Sequence, residues 1–113
     1  MYNQLLKILK SNSKKIKIAV VYNKRCASAC EEVALILTEN KNIKSFGENT
    51  NGQFAYGFVK AYKTPNCGFS FIITTKKYSE RLKYEYVGVQ PEEILDKENE
   101  SDWIKIIEKK LSE

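Results

Sequence analysis

The chain has 113 residues, a length that fits one domain with a modest core. Its formal net charge is +5, but most of its 19 lysines and arginines are scattered along the chain, which is typical of a solvated surface and does not favour nucleic acid as a partner. The sequence contains no histidine, so it lacks both the commonest general base and the commonest metal ligand.

The three cysteines, Cys26, Cys30 and Cys67, do not suggest a disulfide framework, because their number is odd and two of them are close neighbours. We interpret them as small packing residues, since no further ligands accompany them as a zinc site would require. No apolar run approaches the length of about 18 residues that a membrane span needs, and residues 1–4 do not begin a signal peptide. We therefore expect a soluble chain that is cytoplasmic as the sequence stands.

The first half of the chain alternates between predicted helices and strands. An amphipathic helix covers Tyr2 to Leu9, and a polar loop from Ser11 to Lys15 follows it. A buried strand, Ile16 to Val21, leads through a basic turn to a helix from Ala29 to about Asn40, and Ile43 to Phe46 forms a second strand. A helix between two strands predicts a βαβ crossover, hence a parallel pairing.

The second half is richer in aromatic residues and turns. Its predicted segments are a loop at 47–53, a strand or lid-like segment Phe54–Tyr62, a turn at Thr64–Asn66, a strand Cys67–Thr75, a charged and mobile segment Lys76–Lys83, a short extended piece Tyr84–Val89, and a helix Asp102–Leu111 capped by Ser101. Trp103 belongs to the apolar stripe of that last helix, which predicts a core position. The pattern as a whole predicts an α/β fold.

Ser28 stands where the first buried strand turns into the helix that begins at Ala29. A serine in the first turn of a helix lies beside free backbone N–H groups and the positive helix end, a setting that stabilises a developing oxyanion. The simpler interpretation is that Ser28 is the N-cap and that Glu31, three residues later, completes a capping box. The local pattern leaves both interpretations open.

Four segments add to this picture when they are taken in order across residues 16–111. They are Ala27–Glu31 (small-Ser-small-small-Glu), Phe46–Gly52 (with Gly-Glu-x-Thr-x-Gly character), Tyr84–Glu92 (with a Gly-hydrophobic-x-Pro-Glu ending), and the closing helix with Asp102–Ile104. Together they resemble the tail-specific, or C-terminal processing, serine peptidases, whose wider family includes tricorn-like members.

The resemblance implies a fold of the Clp-protease and crotonase kind, with βαβ units and a C-terminal helix, and a reaction that needs no metal or organic cofactor. It also implies that Ser28 is the nucleophile and that the Ala29 N–H is an oxyanion donor. Glu31, Thr50 and Gln53 would shape the site around them. A serine hydroxyl is a weak nucleophile without an adjacent base, so the identity of that base matters.

The sequence departs from the family at the base. Gln53 stands where the processing branch has the lysine of a Ser-Lys dyad, and a glutamine cannot serve as that base. In the tricorn-like branch the base is a histidine supported by a glutamate, and Glu85 matches that glutamate although the histidine is missing. The resemblance is therefore nearer the tricorn-like branch, and Glu85 is either an orienting group or an exposed carboxylate of a strand.

A second departure is size, because only residues 1–15 precede the strand that leads to Ser28. The chain is expected to be the C-terminal half of a catalytic domain, with residues 1–113 forming one domain. Two functions remain: peptide-bond hydrolysis through an acyl-enzyme on Ser28 once a missing N-terminal half completes the site, or a catalytically incomplete interaction module. A half-fold exposes sheet edges and apolar surface, which predicts self-association. The alternating Phe54, Tyr56, Phe58 and Tyr62 form one strand face or line a peptide groove.

Overall fold

A computed structural model of the protein describes residues 2–12 and 16–113. The helices are α1 (Tyr2–Asn12), α2 (Ala29–Thr38) and α3 (Trp103–Ser112), and two 3₁₀ helices cover Ser79–Tyr84 and Glu100–Asp102. The strands are β1 (Ile18–Tyr22), β2 (Ile43–Gly47), β3 (Tyr56–Lys63), β4 (Ser70–Lys77) and β5 (Glu93–Ile94).

The first sheet is parallel, as the βαβ pattern predicts. Strands β1 and β2 pair in parallel from Ile18 opposite Ile43 to Tyr22 opposite Gly47, with α2 connecting them. The short strand β5 adds to the free edge of β2, also in parallel, so the order is β1-β2-β5. The α/β class and the crossover are confirmed.

Apolar side chains from the sheet and from α3 form one of the two core clusters. Phe46 on β2 packs with Leu95, Trp103 and Ile107, all of which are buried. The Trp103 indole N–H donates to the carbonyl oxygens of Leu95, at 3.1 Å, and Glu98, at 3.2 Å, which satisfies the one polar atom of that side chain. The predicted core position of Trp103 is confirmed.

Strands β3 and β4 form a separate antiparallel hairpin. Nearly all of their residues are exposed, including large apolar ones such as Phe58, Val59 and Ile72, each about two-thirds accessible. The radius of gyration is 17.5 Å, whereas a compact chain of this length would have about 13 Å. A two-stranded hairpin in water is marginally stable unless something packs on it, so this surface is the least supported part of the fold.

The predicted boundaries are wrong in the lysine-rich region and just after it. The expected mobile segment Lys76–Lys83 instead completes β4 and enters the first 3₁₀ helix, where the Tyr78 N–H donates to the Ala55 carbonyl at 2.7 Å. The expected extended piece Tyr84–Val89 is a turn, because Tyr86 has a φ of 64° and the Gly88 N–H returns to the Tyr84 carbonyl. Long-range contacts decide this region rather than local propensity.

Smaller differences concern helix ends. Helix α1 runs to Asn12, so part of the predicted loop is helical, and residues 13–15 of that loop lie outside the described residues. Helix α3 begins at Trp103 after the second 3₁₀ turn, so Asp102 rather than Ser101 is its N-cap. Within residues 2–12 and 16–113, no helix combines the length and apolar character that crossing a membrane requires.

The packing of α3 gives the first prediction. Ile107 is 4% exposed in the core, whereas Ile104 on the same helix is 58% exposed. Replacing Ile107 with alanine removes buried methylene groups and leaves a cavity, so the free energy of unfolding in urea should fall by about 2–5 kcal/mol.

The matched variant Ile104→Ala should change that free energy by no more than about 0.5 kcal/mol, since it alters only solvated surface. Equal losses for the two variants would contradict the packing of α3 described above.

Candidate active site

Ser28 occupies a sharp turn between β1 and α2. Its φ is 56° and its ψ is −116°, a positive-φ backbone conformation that non-glycine residues rarely adopt. Such a conformation costs about 1–3 kcal/mol, persists only where surrounding structure enforces it, and is concentrated at functional sites. A strained strand-to-helix turn is also the geometry that presents a nucleophilic serine at the edge of a sheet.

Ser28 is also the N-cap of α2 and forms a capping box with Glu31, as the simpler interpretation expects. The Ser28 N–H donates to Glu31 Oε2 at 2.9 Å. An ordinary N-cap has backbone dihedrals in the β region, so the positive φ of Ser28 is not explained by capping alone. The capping interpretation is confirmed, and the positive φ of Ser28 requires an explanation other than capping.

The Glu31 carboxylate is fully buried and accepts four hydrogen bonds. Its Oε1 accepts from the Thr50 hydroxyl and the Gly52 N–H, each at 2.6 Å, and its Oε2 accepts from the N–H groups of Ser28 and Gln53, each at 2.9 Å. Hydrogen bonds to an ionised acceptor are about twice as strong as neutral ones. Glu31 thereby fixes the Ser28 turn against the loop that carries Thr50 to Gln53.

Thr50 extends this hydrogen-bond network to the segment that contains Gly88 and Val89. Its hydroxyl accepts the Val89 N–H at 2.7 Å while donating to Glu31, and its own N–H donates to the Val89 carbonyl at 3.2 Å. Gly88 has a φ of 83°, and a Cβ there would lie 2.2 Å from the Thr50 carbonyl oxygen. Only glycine therefore allows this close approach, which joins the Ser28, Thr50 and Gly88 segments in one place.

Gln53 reaches Ser28 through the main chain. Its carbonyl accepts the Ser28 N–H at 3.1 Å, and its own N–H binds Glu31. The Ala29 N–H, the first of α2, has no hydrogen-bond acceptor within the part of the chain that the structure describes. Four predicted site residues therefore surround Ser28, namely Ala29, Glu31, Thr50 and Gln53.

Glu85 lies beside these residues, and its carboxylate binds main-chain N–H groups. The sequence predicted either a group that orients a histidine or an exposed carboxylate of a strand. Glu85 is half-buried at the end of the first 3₁₀ helix, not on a strand. Its Oε2 accepts the N–H groups of Phe54, at 3.0 Å, and Ala55, at 2.7 Å. Glu85 thus fixes the backbone that directly follows Gln53.

A disulfide joins Cys26 to Cys30, so our interpretation of these residues as free packing thiols is wrong. Cys26 is buried, as expected, but Cys30 is exposed, and Cys67 is the free and exposed third cysteine. The odd count concealed a pair whose Cα atoms lie 5.3 Å apart because the chain turns sharply between them. The bond spans Ser28, so it closes the turn on both sides of that residue.

Among the described residues, two titratable side chains have clearly shifted pKa values. Burial raises the pKa of Tyr22, at the end of β1, to about 12, so its phenol remains protonated at neutral pH and does not act as a base there. A hydrogen bond from the Thr64 side chain lowers the pKa of the exposed Cys67 thiol, which lies in the turn between β3 and β4.

The wall of the site that contains Arg81 was not predicted from the sequence. Arg81 donates to Glu32 Oε1 at 2.9 Å, and with Phe54 and Tyr78 it lines a cavity of about 190 Å³ that opens beside Ser28. Arg81 fell in the segment predicted to be mobile. Among residues 2–12 and 16–113, no group of three or more acidic, cysteine or histidine side chains is placed to hold a metal ion.

Comparison with known proteins supplies a family. The model of peptidase family S41 matches residues 2–94. No curated protein matches the sequence significantly.

Two solved structures resemble this one in fold: mature CPAF, and mature CPAF complexed with lactacystin. Each is 24% identical in sequence with a TM-score of 0.53. In each case the match covers 69% of this chain and 15% of the CPAF chain, so the protein corresponds to a small part of that molecule.

The disulfide generates a prediction about the turn. Reducing it, or replacing both Cys26 and Cys30 with serine, releases a loop of a few residues, for which chain entropy alone predicts a loss of about 2 kcal/mol in the free energy of unfolding. Amide hydrogen exchange should accelerate in the peptide that spans Ala27 to Glu31, because the strained Ser28 backbone loses one of its constraints.

Cys67→Ser is the matched control, since Cys67 is exposed and unpaired, and it should leave both quantities unchanged. Exchange in the Ser28 turn that is equally slow with and without the Cys26–Cys30 bond would contradict the constraining role of the disulfide.

Proposed function

We propose that this chain, which belongs to peptidase family S41, is the C-terminal portion of a serine-peptidase catalytic domain and carries its nucleophile. The main support for this assignment is the strained φ of Ser28 at the N-terminus of α2. The neighbouring Ala29 N–H has no acceptor in the described part of the chain. Its substrates would be peptides or proteins, and the active domain would be completed by a further segment or chain.

The reaction would follow acyl transfer. Ser28 Oγ attacks the carbonyl carbon of the scissile peptide bond while a base takes its proton. The Ala29 N–H and the positive end of α2 then stabilise the tetrahedral oxyanion. The C–N bond breaks as the base returns the proton to the leaving amine, and water hydrolyses the resulting ester at Ser28.

The base would come from outside this chain, because the sequence has no histidine and Gln53 stands where the processing branch has lysine. This supports a site nearer the tricorn-like branch. Glu85 uses Oε2 for two main-chain N–H groups, and its Oε1 accepts no hydrogen bond within the described residues. That second oxygen is suited to orient a histidine from another segment or chain.

A non-catalytic module is the second candidate, and two observations favour it for the chain alone. The base is missing from the sequence, and the β3–β4 hairpin exposes apolar side chains such as Val59 and Ile72. In that function the hairpin would bind a partner or a second copy, and Ser28 would act only as the N-cap of α2. A clean monomer by light scattering at high concentration would count against self-association.

The test supplies the missing base. Intact-mass analysis after treatment with a fluorophosphonate should find no adduct on the wild-type chain. Gln53→Lys places an amine on the residue whose carbonyl already binds the Ser28 N–H. A general base raises a reaction rate by about 10²–10⁴-fold. This variant should therefore gain a single adduct and be labelled at least about 10²-fold faster than any residual labelling of the wild-type chain.

Two controls isolate the cause of any labelling. Gln53→Met has similar length but no amine and should remain unlabelled, and Gln53→Lys combined with Ser28→Ala should lose the adduct. A folded Gln53→Lys protein that labels no faster than Gln53→Met would contradict the nucleophile assignment and favour the non-catalytic module.

A further inference from the structure

The cavity beside Ser28 is lined by the proposed nucleophile, Ser28, and by the proposed oxyanion donor, Ala29. It measures about 190 Å³, and its other lining residues are Glu32, Arg81, Gly57 and four aromatic residues. A carbonyl carbon attacked by Ser28 Oγ, with its oxygen on the Ala29 N–H, would hold its own α-carbon at the mouth of this cavity. The side chain on the acyl side of the scissile bond is therefore the one that enters.

Four of the nine residues that line the cavity are aromatic, namely Phe54, Tyr56, Phe58 and Tyr78. Phe54 is buried, whereas Tyr56 and Phe58 keep 44% and 68% of their surface accessible. Gly57 brings the β3 backbone close to Tyr78, since a Cβ on Gly57 would lie 3.0 Å from the tyrosine ring. Exposed aromatic faces around a concave site bind another ring through offset or edge-to-face contacts.

The charges around the cavity select against ionised guests. The Arg81 guanidinium lies 4.5 Å from the Phe54 ring centroid and 4.3 Å from that of Tyr78, and it is paired with Glu32. Lys76 lies 5.3 Å from the Phe58 centroid. A lysine or arginine guest would meet two cations and rings whose faces are already occupied by cations.

An acidic guest would be disfavoured for a different reason. It would have to displace Glu32 from Arg81, exchanging one carboxylate for another while losing its own hydration. An aromatic guest needs no such exchange, because its ring can make edge-to-face contacts with the walls and offer a π face to the neighbouring cations. An aliphatic side chain would bury apolar surface in the cavity, but it has no π face to offer to the cations.

From this geometry we infer that the cavity is a specificity pocket for an aromatic side chain on the acyl side of the scissile bond. The assignment rests on the proposed function for its place in a substrate, but binding of the side chain itself does not depend on a reactive Ser28. Arg81 positions the walls through its cation–π contacts with Phe54 and Tyr78.

The test therefore uses the Ser28→Ala protein and non-covalent probes. N-acetyl-L-phenylalaninamide is titrated into labelled protein, with ¹H–¹⁵N shifts as the readout, and the leucine, glutamate and lysine analogues are titrated in parallel. The phenylalanine probe should bind in the millimolar range, as a small ligand with one anchoring side chain does. It should shift the amides of Ala29 and Gly57 and bind at least about threefold tighter than the leucine probe.

A variant of the pocket wall and its matched control localise the binding. Phe58 has a φ of 50°, which asparagine tolerates, so Phe58→Asn removes a wall ring without adding backbone strain. It should weaken binding of the phenylalanine probe at least about threefold. Phe69→Asn removes an equally exposed ring of the hairpin that does not line the cavity, and it should leave binding unchanged.

The outcomes separate this inference from the proposed function. Binding of the phenylalanine probe at Ala29 and Gly57 would support the pocket even if no fluorophosphonate adduct ever formed. Equal affinity for all four probes, shifts confined to other residues, or equal affinities in Phe58→Asn and Phe69→Asn would overturn the pocket while leaving the nucleophile assignment intact.

Discussion

The buried carboxylate of Glu31 is the constraint on which the rest of the site depends. A charge removed from water is costly unless donors surround it, and Glu31 is fully buried with four of them. Those donors come from the Ser28 turn and from the loop at residues 50–53, which are distant in sequence. The conformation of both segments is therefore dictated by the need to satisfy one side chain on the first turn of α2.

This constraint accounts for the strain at Ser28. A φ of 56° is unfavourable for serine, so other contacts must offset it. The Ser28 N–H is held by Glu31 Oε2 and by the Gln53 carbonyl, and the Cys26–Cys30 disulfide closes the turn from the other side. The same contacts leave the Ala29 N–H without an acceptor in the described part of the chain, which is the arrangement that acyl transfer would use.

The sequence predicts this fold well where periodicity and local chemistry act together. The β1–α2–β2 unit, the Trp103 helix and the capping box of Ser28 and Glu31 follow from patterns within a few residues of each other. The full burial of Glu31 does not, because three of its four donors, Thr50, Gly52 and Gln53, come from a loop 19 to 22 residues later. The order around Arg81 was missed for a related reason: its partners Phe54 and Glu32 lie far away in the chain. The disulfide was not predicted, because the four-residue spacing of Cys26 and Cys30 is also that of packing residues on one face of a helix.

The most direct test of the central role of Glu31 is the Ser28 backbone angle in a crystal structure of Glu31→Gln, with Glu32→Gln as the neighbouring control. The amide of glutamine turns a donor toward N–H groups that need an acceptor, and each buried donor left unsatisfied costs roughly 1–3 kcal/mol. We predict that Ser28 relaxes to a negative φ in Glu31→Gln and keeps its positive φ in Glu32→Gln. A Ser28 φ that stays near 56° in Glu31→Gln, with the loop at residues 50–53 in place, would contradict the account.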